Sequence, residues 1–140
     1  IGWKEINYAV ARIMQDYCGA YKNELTLNAG LRLLKELRET ELQTAYASNP
    51  HELGRLLECN SLISVGELIM HASLSRKASS KHLDFYRLDF PDIDPPEWEK
   101  LLPVRQLGGQ VKVRDLSLNY HLEAPYNGDY EQNYLQHRGQ

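Results

Sequence analysis

Cysteine is scarce: the 140 residues hold only Cys18 and Cys59, with neither a CxxC spacing nor a histidine partner. That excludes a disulfide framework and argues for two reduced core or near-core thiols in a reducing, cytoplasmic setting. Positive charge is not in surplus either. Lys and Arg total 16 against 19 Asp and Glu, a net charge of -3. A duplex-binding protein needs a basic footprint to release counterions, so no nucleic-acid partner is expected. No long apolar run is present. Even Leu62 to Met70 is interrupted by Ser64, Gly66 and Glu67, far short of the roughly 20 residues of a membrane span.

Chemical motifs are equally sparse. Histidines His51, His71, His82, His121 and His137 do not recur at i, i+4 with a carboxylate, as a helical zinc site requires. Asp92 and Asp94 stand among Pro91, Pro95 and Pro96, which leave no acidic loop of the EF-hand kind. Asp94 reads instead as the cap of a short turn begun by Pro95 and Pro96. Gly108 and Gly109 are adjacent, but no glycine-rich strand-to-helix turn, GxSxG or phosphate loop exists. The expectation is a chain with no catalytic, cofactor-binding or metal residues of its own.

What the sequence does have is helical periodicity. Trp3, Ile6, Val10, Ile13, Met14 and Tyr17 recur at intervals of three and four, predicting a first helix to Cys18 that Gly19 stops. After a polar turn around Lys22 to Glu24, Thr26 is the expected cap of a second helix. Leu27, Leu31, Leu34, Leu37 and Leu42 form its inner face and it ends near Tyr46. Asn49, Pro50 and Glu52 then give a strong start signal: a capping side chain, a proline at the first helical position and a glutamate three residues after the cap. The third helix follows through Leu53, Leu56, Leu57, Ile63, Leu68, Met70 and Leu74 to about Arg76, roughly 27 residues or 40 Å long. Three such stripes bury one another in a bundle, with Leu34 and Leu56 inside.

Organisation changes after the bundle at 1–78. An irregular Asp/Pro-rich crossing is expected over 79–97, a β-hairpin over 98–118 turning at Gly108 and Gly109, and a polar tail over 119–140. Pro103 places the first hairpin strand on an edge. In the tail, Asn127-Gly128 and the tyrosines Tyr126, Tyr130 and Tyr134 suit either disorder or an arm that docks on another domain. The fold class is therefore mainly α, or α+β when the hairpin is counted. The first residue is Ile1 and its amphipathic pattern starts uncapped, which gives the chain the look of a piece cut from something longer.

The densest polar cluster is Arg76, Lys77, Lys81, His82 and Arg87 with Asp84 and Asp89. Cations at a helix C-terminus meet exposed carbonyls, which explains Arg76 and Lys77 structurally. The alternative is a functional anchor, in which Arg87 makes a bidentate bond to Asp89 or to a group on another domain. Arg76, Lys77, His82, Arg87 and Asp89 are the anchor candidates.

The same stretch carries a family resemblance. Met14, Gly19 and the leucines Leu31, Leu34 and Leu37, then Arg76-Lys77-Ala78-Ser79-Ser80, Phe85-Tyr86-Arg87-Leu88-Asp89-Phe90-Pro91, Asp94 and Trp98, resemble the helical domain that ends succinate dehydrogenase and fumarate reductase flavoproteins. The likeness covers roughly residues 3 to 115. The interval from Arg76 to Arg87 is similar to that of adenylylsulfate reductase α subunits, although Ala78 and Ser80 depart from the usual Glu and Arg. The resemblance implies a C-terminal domain of an FAD-dependent oxidoreductase, with FAD and the catalytic residues carried by upstream domains. It also implies packing on the flavin domain, an iron–sulfur partner subunit and attachment to a membrane complex through such partners. A freestanding helical protein-binding scaffold is the competing expectation.

Overall fold

The structure, a computed structural model, describes residues 1–120, 122, 124–125 and 128–139. His121, Tyr126 and Asn127 of the sequence reading lie outside the described residues. Three helices form the bundle: α1 (Trp3–Tyr17), α2 (Glu24–Glu39) and α4 (Pro50–Ser75), with the single turn α3 (Glu41–Thr44) between the last two. Ile6, Val10, Leu27, Leu34, Leu37, Cys59, Ile63 and Met70 make the buried core, and Leu56 packs partly buried against it. These are the inward positions of the three apolar stripes, brought together because each stripe has no other surface to bury.

Several boundaries differ from expectation. The cap of α2 is Asn23, whose Oδ1 accepts from the Thr26 N–H at 2.9 Å. Thr26 is the reciprocal member of the box, its Oγ1 accepting from the Asn23 N–H at 3.1 Å. The second helix also breaks at Thr40, whose hydroxyl donates to the Glu36 carbonyl at 2.7 Å, so the run to Tyr46 is not continuous. Asp94 does not cap the 3-10 turn Pro96–Trp98, because Pro95 holds that position. Its carboxylate accepts instead from the Lys81 N–H at 3.3 Å. By contrast Asn49 caps α4 as read, accepting from the Glu52 N–H at 2.9 Å.

The largest departure concerns α4. Leu53 and Leu57, read as inward, are 50% and 60% exposed. Apolar and polar side chains are mixed around this helix, so its apolar positions extend beyond the face that the bundle covers.

Helix spacing depends on two glycines. A Cβ at Gly30 of α2 would stand 2.8 Å from Tyr17 Cβ and 2.6 Å from Met70 Cε. Tyr17 Cβ is fixed to the backbone of α1 and cannot swing away. Gly30→Ala is therefore expected to destabilise despite its better propensity: overpacking costs about 1–3 kcal/mol and the helix gain is only about 1. Nothing lies within 4 Å of a Cβ at Gly54, so Gly54→Ala should stabilise by about 0.8–1 kcal/mol. Urea midpoints of the two variants check this, and shifts of the same sign would contradict it.

Past α4 the chain crosses back over the bundle. There β2 (Tyr86–Arg87) pairs parallel with β1 (Tyr21–Lys22), a contact that neither segment advertises in sequence. The hairpin follows as β4 (Val104–Leu107) and β5 (Gln110–Val113), with Val104 opposite Val113. Gly108 and Gly109 turn it at φ of 59° and 76°, a turn that needs left-handed residues at both positions. It continues outward of Pro103 as β3 (Lys100–Leu101) against β6 (Leu116–Ser117). The tail contains a short helix, α5 (Tyr130–His137), capped by Asp129, where the sequence reading weighed only disorder or a docking arm. Tyr130 and Tyr134 stack on its surface with centroids 6.3 Å apart.

Candidate functional site

The last turn of α4 leaves carbonyls without intrahelical partners. Arg87 fills that vacancy. Its side chain is 1% exposed, and Nη1 donates to the carbonyls of Ser73 at 2.8 Å, Leu74 at 3.0 Å and Arg76 at 3.1 Å. Nε and Nη2 donate to the two Asp89 oxygens at 2.9 and 2.7 Å. The planar fork suits this double task because its donors point in fixed, divergent directions.

Asp89 carries the junction onward. Its Oδ2 accepts from the N–H of Glu24, the first residue of α2, at 3.1 Å. A cation thus sits at the negative end of α4 and an anion at the positive end of α2, each in the favoured place for the helix dipole. Hydrogen bonding from Arg87 holds the Asp89 carboxyl down at about 2, with the Glu24 N–H adding to it and burial opposing. The stability this contributes is present above the ordinary carboxylate pKa and disappears as pH falls through the folded value near 2. The gap in urea midpoint between wild type and Asp89→Asn should therefore be widest at pH 5 and narrow toward pH 2; a constant gap would sink the assignment.

Ser79 locks the same corner. Its Oγ accepts from the Arg87 N–H at 2.9 Å and donates to the Phe90 carbonyl at 2.8 Å. The Phe90 ring lies 5.0 Å from the guanidinium, a cation–π approach. Tyr86 stacks on Tyr21 at 5.0 Å. Phe85 faces Lys22, whose Nζ lies 4.1 Å from the ring centre.

Lys22 corrects the sequence reading, which put it in a polar turn. It is only 5% exposed, donating to the Ala20 carbonyl at 3.3 Å. Burial pushes its pKa below the usual lysine value and the Arg87 charge adds to that, against Cys18 and Asp84.

The other anchor candidates separate. Arg76 does join, reaching the carbonyls of Trp98 and Lys100 at 3.0 Å each and tying the hairpin base to the end of α4. Lys77 and His82 are exposed and stand outside the cluster. A second, partly buried clip was missed by sequence: Arg38 on α2 reaches both Glu67 oxygens and Ser64 Oγ on α4, at 2.6 to 2.8 Å. Opposite charges on two different helices gave no local signal of pairing.

The junction is built from donors and acceptors satisfied by one another. Gly30 and Gly66 are packed between helices against Met70 and Met14, and Gly108 and Gly109 form the hairpin turn. None of these four glycines opens a helix N-terminus. Among the described residues no group of three His, Cys, Asp or Glu side chains is placed to hold a metal ion. No described helix is long and apolar enough to cross a membrane.

Such a construction defines a mainly α domain with a hairpin arm, its irregular crossing anchored to the end of α4 by one buried arginine. More particularly, the chain belongs to the fumarate reductase flavoprotein C-terminal family, whose model matches residues 7–129. The match takes in the bundle from the second turn of α1 onward, the Arg87 junction and the whole hairpin. No curated protein matches the chain.

Proposed function

We propose that this domain braces an FAD-dependent oxidoreductase by packing its α1/α4 face on the flavin-bearing part of the same flavoprotein. The observation that carries the reading is an apolar furrow of about 290 Å³ between α1 and α4, lined by Ala11, Met14, Leu62, Val65, Gly66 and Ile69. Leu62, Val65 and Ile69 are 44%, 51% and 46% exposed. Contiguous exposed apolar surface of this kind marks an interface. In this reading the Arg87 junction is the structural anchor that fixes α4 and the hairpin relative to α2, so that the face is presented rigidly.

The substrate branch proposed is the adenylylsulfate reductase type, supported by the Arg76 to Arg87 interval and the Tyr86-Arg87-Leu88-Asp89-Phe90-Pro91 segment. An iron–sulfur subunit is the further partner, on resemblance alone. Val65→Asp tests the packing. Since Val65 is half exposed, the isolated domain should change by less than about 0.5 kcal/mol, while the full-length flavoprotein should lose FAD retention and turnover. Full retention of both would contradict the assignment.

A further inference from the structure

A second surface, on the other side of α4, has the opposite chemistry. Between Leu101 and Arg114 the sequence holds three cations, Arg105, Lys112 and Arg114, and no carboxylate, within a chain of net charge -3. The hairpin register sets Arg105 directly opposite Lys112, both exposed. Like charges facing each other across a strand pair destabilise it. Neither side chain has a carboxylate partner among the described residues.

The strip does not end at the hairpin. Lys112 lines an open depression of about 650 Å³ with Arg105 and Arg114. It also lines a cleft of about 700 Å³ between the hairpin, α2 and α4, whose walls carry Arg32, Lys35, Arg38 and His71. That cleft contains Glu39 and Glu67 as well. These are matched already, Glu67 by Arg38 at 2.6 Å and Glu39 by Lys35 at 3.9 Å. Arg32 and Lys112 remain without an ion-pair partner among the described residues.

We infer that this strip, running from Arg32 through Lys112 to Arg105 and Arg114, is a docking surface for a carboxylate-rich protein segment. Glutamines Gln106 and Gln110 border the cleft beside Lys112 and supply amides that bond either carboxylate or main chain. Two depressions that share Lys112, with charges spaced along them, suit an extended acidic chain better than a single small anion. Electrostatic complementarity of this kind gives specificity and fast association, and it weakens with salt. The inference is independent of the α1/α4 packing, because the residues and the faces differ.

The test uses the full-length flavoprotein and a fluorescent deca-glutamate peptide, with inorganic phosphate and a single-stranded oligonucleotide as comparison probes. The peptide should bind in a salt-dependent way, and Arg105→Gln with Lys112→Gln together should weaken it at least about 10-fold. Lys112→Glu should abolish peptide binding yet raise the melting temperature, since it turns a repulsive cross-strand pair into an attractive one. The inference is overturned if the peptide does not bind, if the paired variant binds it unchanged, if phosphate competes at equal concentration of charge, if the oligonucleotide binds more tightly, or if Lys112→Glu fails to stabilise.

Discussion

Replacing Arg87 with alanine is expected to cost at least about 3 kcal/mol of stability, because three helix-end carbonyls lose their donor together and each buried polar group left unpaired costs about 1–3 kcal/mol. The loss has two sources. The carbonyls of Ser73, Leu74 and Arg76 would lose the donor that terminates α4, and Asp89 would keep its charge without the guanidinium. Water has poor access to repair the first, because the Arg87 side chain is 1% exposed. Arg87→Lys is the sharper version. An ammonium keeps the charge but cannot serve the helix end and both carboxylate oxygens together, so it should still lose about 1.5–3 kcal/mol, the value of a charge-assisted hydrogen bond. Urea unfolding of the three proteins measures both. A lysine variant as stable as wild type would mean that the charge alone matters and that the fork geometry is incidental.

The second large effect lies in the bundle. Leu34 is fully buried, at 0% exposure, and its Cδ1 stands 3.2 Å from where a Cβ on Gly66 would be. Alanine there leaves a cavity that the glycine-spaced helices cannot collapse into without moving their backbones. A loss of about 2–5 kcal/mol is expected. Leu56→Ala should cost less, because Leu56 packs on the core only partly buried. The order of the two urea midpoints is the check, and a larger loss at Leu56 would reverse the inward and peripheral assignments.

The inner helical faces were legible because 3.6-residue periodicity is carried by many side chains at once, and all of Ile6, Val10, Leu27 and Leu34 fall where the stripes put them. Leu53 and Leu57 were misassigned for the same reason. Periodicity on a helix whose apolar residues are spread over more than one face cannot say which side faces this bundle. The hairpin was legible from its glycine pair and alternating valines. The parallel pairing of Tyr21–Lys22 with Tyr86–Arg87 was not, since two-residue strands have no period and the contact joins segments far apart in sequence. Burial of Lys22 went unread because a charge reads as surface until Phe85 and the Ala20 carbonyl are brought to it.

Arg87 and Asp89 could be singled out by chemistry and spacing, as could Arg76. What the sequence could not supply was the acceptor set, because the carbonyls of an α4 terminus become targets only once the chain has crossed back over it. Asn23 was readable in principle: its reciprocal bonding with Thr26 follows the capping-box spacing, with threonine in place of the usual glutamate.

The central claim, that the α1/α4 face is covered by the flavin-bearing part of the protein, is tested most directly by Val65→Cys and maleimide labelling. Labelling at position 65 is read by peptide mass, separately from Cys18 and Cys59, in the isolated domain and in the full-length flavoprotein. The account predicts rapid modification in the domain, where Val65 is 51% exposed, and strong protection in the full-length protein. Equal labelling rates in the two would contradict it.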